Sequence, residues 1–317
     1  MDFVATNWGR NTPYEDQRTQ PLQISYGDFT GNGSLDLIET YFDPVLKKRV
    51  PERQLAVLSK ALPFLRERFS SHRAFSTASI EDILGDLTKR ARVVQARWLE
   101  STVFLNRGDH FEAFALPAEA QFAPAFGVCV GDFDGDGHED LVLAQNFFAT
   151  QPETPRYDGG RGLLLRGDGR GGFQAMPGQA SGLKIYGEQR GAAVADFDND
   201  GRLDVAIAQN GATTALYRNL GAQPGLRVRL AGPPGNPTAV GASLRLVFGE
   251  RNGPRREIHA GSGYWSQDSA VQVMSTPTPP TEIEIRWPGG RKTLSKIPPQ
   301  ARTIRVQQNG TVEVVER

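Results

Sequence analysis

The chain of 317 residues holds a single cysteine, Cys129, with three methionines and four histidines. One thiol excludes an internal disulfide framework and any zinc site built from several cysteines. It leaves export open, because a chain of this length can bury a large core without bridges. No apolar run is long enough to span a bilayer, so membrane insertion is not expected. The opening MDFVATNWGR does not place a basic segment ahead of an apolar one, as a signal peptide would. Basic and acidic residues cancel at 36 each, and that balance gives no footprint for nucleic acid. Catalytic fingerprints are missing as well: no H-E-x-x-H, G-x-S-x-G, P-loop or dinucleotide pattern occurs. No catalytic residue is therefore assigned, and the chain is read as a non-enzyme.

Glycine (35) and proline (21) are abundant, which points to many turns joining short strands. The charge is unevenly spread. Residues 44–99 carry 12 basic against 5 acidic side chains, and residues 224–317 carry 13 against 7. The rest is strongly acidic, and it contains an internal repeat. YGDFTGNGSLDLIET (26–40), VGDFDGDGHEDLVLAQN (130–146) and ADFDNDGRLDVAIAQN (195–210) align directly. Each has an apolar run, an Asp-rich turn with Gly at its sixth position, and a second apolar run.

Between the first and second repeats the texture changes. Leu55, Leu58, Leu62 and Leu65 recur at helical steps, which predicts helix. Pro51 suits a first turn, Pro63 splits the segment, and Ser79 caps a further helix. The reading is a helical insertion over about 44–99 within a repeat region of residues 1–223. Arg-Gly-Asp occurs at 107–109 and 166–168. It is read as a hairpin turn at equivalent repeat positions rather than as an adhesion signal. Residues 222–237 are turn-rich. From 224 to 317 short alternating runs such as Glu282–Trp287 and Arg302–Val306 predict a separate small β domain. The single thiol lies in FGVCVGDF and is read as a buried hydrophobe. Trp287 is read as core rather than as a ligand platform, and His259 as a surface or hydrogen-bonded residue rather than a ligand.

The acidic turns carry the chemistry. Positions 1, 3, 5 and 9 are Asp132, Asp134, Asp136 and Asp140 in the second repeat, and Asp196, Asp198, Asp200 and Asp204 in the third. In the first they are Asp28, Thr30, Asn32 and Asp36. Alternate side-chain oxygens of a tight turn converge, and the carbonyl of position 7 (His138, Arg202, Ser34) adds another. Carboxylates gathered this closely repel one another unless a hard cation sits among them. Many protein oxygens suit Ca2+ better than magnesium, with affinities of about 10⁻⁴ to 10⁻³ M. Loop one has two carboxylates where the others have four, so it should bind last.

These units resemble FG-GAP repeats, also called VCBS repeats, which build β-propeller blades. GASLRLVF, REIHAGSGYWSQ and EIEIRWPGGRKTL resemble the ASPIC/UnbV domain of cartilage acidic protein-like proteins. The resemblance departs at Val271–Thr276, where the family has a His-Phe-Gly-Leu-Gly-like run. It implies an all-β fold: the blades of a partial propeller, the helical insertion, and a small C-terminal β domain. It also implies a calcium-stabilised interaction or adhesion module that is secreted, periplasmic or at the cell surface, with a protein or glycan partner. Competing readings are a polysaccharide- or ester-processing enzyme on a propeller scaffold and a purely structural spacer. Asp2-Phe-Val-Ala-Thr-Asn matches Asp140-Leu-Val-Leu-Ala-Gln-Asn. Asp2 is therefore expected to end a fourth loop supplied by further N-terminal blades of a parent chain.

Overall fold

The computed structural model describes residues 1–14 and 19–315. Its contacts divide it into two compact units, one of residues 12–99 and one of residues 1–11 with 100–317. Strand β1 (Phe3–Ala5) belongs to the larger unit.

The smaller unit contains β2 (Leu22–Gly27), β3 (Asp36–Asp43), β4 (Lys48–Pro51), α1 (Leu55–Ala61), α2 (Phe64–Arg68), α3 (His72–Ser76), α4 (Ile80–Leu84) and β5 (Arg92–Ala96). Its sheet runs β4-β3-β2-β5. Leu55, Leu58, Leu62 and Leu65 are buried and share one core with Phe75, Ile80, Ile83 and Leu84. Short helices of this kind are held by packing of an apolar stripe more than by propensity. Pro63 separates α1 from α2. Ser79 caps α4 through a reciprocal box with Asp82, the arrangement that satisfies two orphan amides at once. Pro51 sits elsewhere than expected. It ends β4 opposite Thr40, at the outer edge of the sheet, where a missing N–H costs no ladder bond. The helices thus occupy 55–84, and the flanks of the expected insertion are strands. Phe29, the second residue of acidic loop one, and Ile38, just after the loop, pack into the same core as the helices. That is why the first repeat and the helices form one unit.

In the larger unit β6 (Thr102–Asn106) and β7 (Phe111–Ala115) pair with β1 to give the sheet β1-β6-β7. Next come β8 (Ala125–Gly131), β9 (Asp140–Gln145), β10 (Leu163–Gly167) and β11 (Phe173–Met176), in the order β11-β10-β9-β8. After α5 (Gly178–Ser181), β12 (Glu188–Ala195), β13 (Asp204–Asn210) and β14 (Ala212–Tyr217) form a third antiparallel sheet. These sheets are blade-like and pack face to face. Val103 and Leu105 of the first meet Leu141, Leu143 and Leu165 of the second. Cys129, Val142 and Ala144 meet Ala192, Val205 and Ile207 of the third. Burial pushes the Cys129 thiol far up, so this sulfur is a small core hydrophobe.

Strand register corrects the reading of the two Arg-Gly-Asp tripeptides as equivalent. Phe3 faces Phe104, Leu141 faces Leu165 and Val205 faces Tyr217. Leu105, Arg166 and Arg218 are therefore the matching positions. Arg107 lies two residues later and pairs with Glu112 of its own hairpin at 2.8 Å.

The remaining strands are β15 (Leu226–Ala231), β16 (Ser243–Phe248), β17 (Arg251–Asn252), β18 (Arg256–Glu257), β19 (Gln272–Met274), β20 (Glu282–Arg286), β21 (Lys292–Lys296), β22 (Thr303–Gln307) and β23 (Val312–Val314). They make the sheets β19-β15-β22-β23 and β17-β16-β20-β21, with β18 also on β16. Between these sheets lie Val228, Leu244, Ile283, Ile285, Trp287, Ile304 and Val306. The alternation at 282–287 appears directly: Ile283, Ile285 and Trp287 are buried, and the Trp287 ring N–H donates to Thr293 Oγ1. By contacts, residues 224–317 stay with residues 100–223 in one unit.

Candidate metal loops

All three acidic turns share a hydrogen-bonded frame that the spacing dictates. The amide of the sixth-position glycine donates to the first aspartate: Gly33 to Asp28 at 3.0 Å, Gly137 to Asp132 at 2.6 Å and Gly201 to Asp196 at 2.9 Å. These glycines have φ of 80°, 93° and 85°, a region costly for any residue with a Cβ. The second residue, always Phe, donates its amide to Oδ2 of the ninth-position aspartate: Phe29 to Asp36, Phe133 to Asp140 and Phe197 to Asp204. The position-7 amides of Ser34, His138 and Arg202 close small turns onto Asn32, Asp136 and Asp200 at 2.8 to 3.0 Å.

Within that frame the carboxylates converge unequally. Asp132, Asp134 and Asp136 each bring an oxygen within 4.8 Å of the others, and so do Asp196, Asp198 and Asp204. Asp140 and Asp200 lie outside these two groups. Asp140 is occupied by amides, with Phe133 and Gly167 each donating at 2.8 Å. Asp200 is gripped by Arg202 and Arg218. Loop one forms no such cluster among the described residues. Asp28 accepts from Gly31, Asn32 and Gly33, and the Gly33 amide foremost holds its carboxyl below the usual range. Thr30 Oγ1 donates to Asp36 Oδ2 at 3.3 Å. Backbone amides and the Thr30 hydroxyl satisfy the carboxylates of this loop.

Loops two and three carry strain that amides leave unrelieved. Burial, reinforced by neighbouring carboxylates, pushes Asp134 and Asp204 up and carries Asp140 to about 7. Besides Arg202, four arginines supply part of the missing positive charge. Arg166 Nε is 2.5 Å from Asp134 and its Nη2 is 3.1 Å from Asp136. Arg218, at the matching strand position, lies 2.6 Å from Asp198 and 3.3 Å from Asp200. Arg227 of β15 lies 2.6 Å from Asp196, with both side chains buried. Arg256 of β18 pairs with Glu139 beside loop two at 2.8 and 3.0 Å. For Asp200, burial acts upward, yet the bonds from Arg202 and Arg218 win and hold its carboxyl low. An all-oxygen donor set with elevated carboxyls and borrowed cations fits a hard divalent ion.

Residues 125–165 match the FG-GAP repeat, and residues 232–313 match the ASPIC and UnbV domain. The chain carries an FG-GAP repeat and an ASPIC/UnbV domain. A comparison with curated proteins finds no match. The FG-GAP match covers β8 to β10 and so contains loop two. Loop three repeats the glycine, phenylalanine and position-7 bonds of that frame. The ASPIC/UnbV domain supplies Arg256, and Arg227 lies just ahead of it. Gly225 N also donates to Gly201 O at 2.8 Å, and Arg202 Nε to the carbonyl of Ala222. The expected linker is thereby tied to loop three, and β15 begins inside it at Leu226. Sequence reasoning missed these arginines. The one available signal was an arginine at the end of the third strand, Arg166 within LLLRG and Arg218 just past β14 in LYRN. Aligning on Arg-Gly-Asp hid it. No helix among the described residues is long and apolar enough to cross a membrane.

Proposed function

We infer that this chain is a calcium-stabilised interaction module, exported or displayed at a surface, whose bound ions hold blades and C-terminal domain in one arrangement. The observation that carries this reading is the pair of acidic clusters at loops two and three, each contacted by an arginine from a neighbouring strand and lying beside residues of the C-terminal sheets. Asp132, Asp134 and Asp136 would hold one ion, and Asp196, Asp198 and Asp204 the other. When bound, calcium supplies charge neutralisation and cross-linking. The chain's own residues set the geometry through the glycine and phenylalanine amides described above.

A non-enzymatic role is supported by the commitments of these carboxylates, which are engaged by amides and guanidinium groups. The surface offered to a protein or glycan partner is the aromatic end of β8. There Tyr264 is 42% exposed and Trp265 is 90% exposed, and Phe126 packs edge-on against Tyr264. Arg190 stacks over the Phe126 ring at 4.0 Å. Exposed aromatics beside a stacked guanidinium suit recognition of a sugar face or an apolar protein anchor.

The test is a thermal melt of metal-stripped protein with calcium and with chelator. Calcium should raise the midpoint by mass action, and an unaltered melt would defeat the calcium reading. For the partner surface, Trp265→Ala should abolish capture of glycan or protein ligands without shifting the melt. Loss of capture only together with loss of folding would defeat that assignment.

A further inference from the structure

Strand β5 is one edge of the sheet β4-β3-β2-β5 and pairs only with β2. The pairing runs in unbroken register from Tyr26 opposite Arg92 to Leu22 opposite Ala96. Among the described residues no backbone bond joins residues 92–96 to anything but β2. The outward amides and carbonyls of the strand are therefore open. Its side chains are open as well: all five residues are exposed, with Val93 at 52% and Val94 at 49%. Successive residues of a strand point to opposite faces, so each face of this edge carries an uncovered valine. An edge of this kind, with no proline or bulge to guard it, is a template for another strand. Charge decides which strand. Arg90 and Arg92 lie at the start of β5 and Arg97 just past its end. Arg97 donates to Gln95 Oε1 through Nε at 3.1 Å and Nη2 at 2.6 Å. None of the three arginines pairs with a carboxylate among the described residues. The edge strands β7 and β14 are also largely exposed, but neither contains an arginine. A second copy of β5 would set arginine against arginine, and like charges opposed across a strand pair are destabilising. A strand with carboxylates at those places is attracted instead.

We propose that the outer edge of β5 binds an extended acidic peptide segment of a partner protein, which adds to the sheet as a further strand. Its backbone continues the ladder beyond β5, its apolar residues cover Val93 and Val94, and its carboxylates meet Arg92 and Arg97. Main-chain bonds supply the affinity, and the arginines select the partner by attracting acidic strands and repelling basic ones. This surface belongs to the smaller unit and uses none of the carboxylates of the acidic loops. It therefore stands or falls separately from the calcium reading and from the aromatic end of β8.

The test is fluorescence polarisation of the full chain with a labelled acetyl-ETVTVE-amide peptide. It is compared with acetyl-KTVTVK-amide and with the acidic peptide N-methylated throughout. The acidic peptide should bind and the basic one should not. The N-methylated peptide, which cannot donate to the ladder, should not bind either. Hydrogen exchange across residues 92–96 should slow when the acidic peptide is bound. Arg92→Gln with Arg97→Gln should weaken binding by roughly two- to thirtyfold, the worth of two exposed ion pairs, and leave the thermal melt unmoved. Arg92→Glu with Arg97→Glu should turn the preference to the basic peptide. Lys292→Gln with Lys296→Gln on β21, another basic edge strand, should change nothing. Equal binding of the N-methylated and unmodified peptides would mean that the arginines gather any polyanion, and overturns the strand pairing. Absence of acidic-peptide binding, or protection only outside residues 92–96, overturns the site. A native chain that sediments as a dimer, with β5 already protected, assigns the edge to a second copy and also overturns it.

Discussion

Arg166 and Arg218 compete with the metal for the same oxygens, and removing them should tighten calcium binding. Each guanidinium touches two carboxylates, Arg166 at 2.5 and 3.1 Å and Arg218 at 2.6 and 3.3 Å. Both arginines are about half exposed, 49% and 52%, so the dielectric appropriate to them is close to that of water. A unit charge about 5 Å from a divalent ion then costs that ion roughly 1.7 kcal/mol. The exposed ion pairs lost in the metal-free state are worth about 0 to 1 kcal/mol each. Replacing either arginine by Gln should therefore favour calcium at its loop by about 2–4 kcal/mol, a Kd tighter by a factor on the order of thirty to several hundred. Calorimetric titration of Arg166→Gln and Arg218→Gln measures this directly. The gain should shrink as salt rises, because exposed charges are screened over about 10 Å at 0.1 M and about 3 Å at 1 M. Arg107→Gln is the control: its partner is Glu112, and calcium affinity should not move. Unchanged or weaker binding in both loop variants would refute the reasoning, as would a gain that grows with salt.

Three further outcomes follow from the same geometry. In chelator, Asp140 has a folded value of about 7 against an ordinary 3.8. The folded chain then holds a proton that the unfolded chain has released. This contribution is fully present below pH 4 and is lost as pH rises through about 7. Denaturant melts at pH 5 and 8 should show Asp140→Asn flattening that fall, and an identical slope in variant and parent would count against it. Arg227→Met leaves Asp196 buried without its partner, which should cost about 3–5 kcal/mol in chelator. The loss should be smaller with calcium present, because the ion takes over neutralisation; equal losses in both conditions would remove the link between loop three and β15. Finally, Asp134→Ala and Asp198→Ala should each abolish most of the calcium-induced rise in melting temperature at their loops, whereas Thr30→Ala should change it little. Equal effects from all three would overturn the ranking of the loops.

Local pattern alone determined much of this protein. The spacing of Asp, Gly and apolar residues specifies each acidic turn, because Gly33, Gly137 and Gly201 are placed where φ must be positive and the first aspartate can reach their amides. The leucine stripe and the Ser79 cap specify helices, and alternation specifies β20. These features are short-range, so a few residues of chain contain all the atoms involved.

What tertiary structure decided is which distant groups share a charge or a core. Arg227 and Asp196 are brought together across the boundary between β15 and loop three, and Arg256 reaches Glu139 over 117 residues. Loop one joins the helices because Phe29 and Ile38 need a core that the helices alone supply. The equivalence of Arg166 with Leu105, rather than with Arg107, comes from strand register. Register is a property of a pair of strands. A one-residue slip reverses every side chain while leaving the tripeptide motif intact. Convergence of like charges is costly, and which cation answers it depends on what the fold packs beside it. No single segment of sequence holds that information.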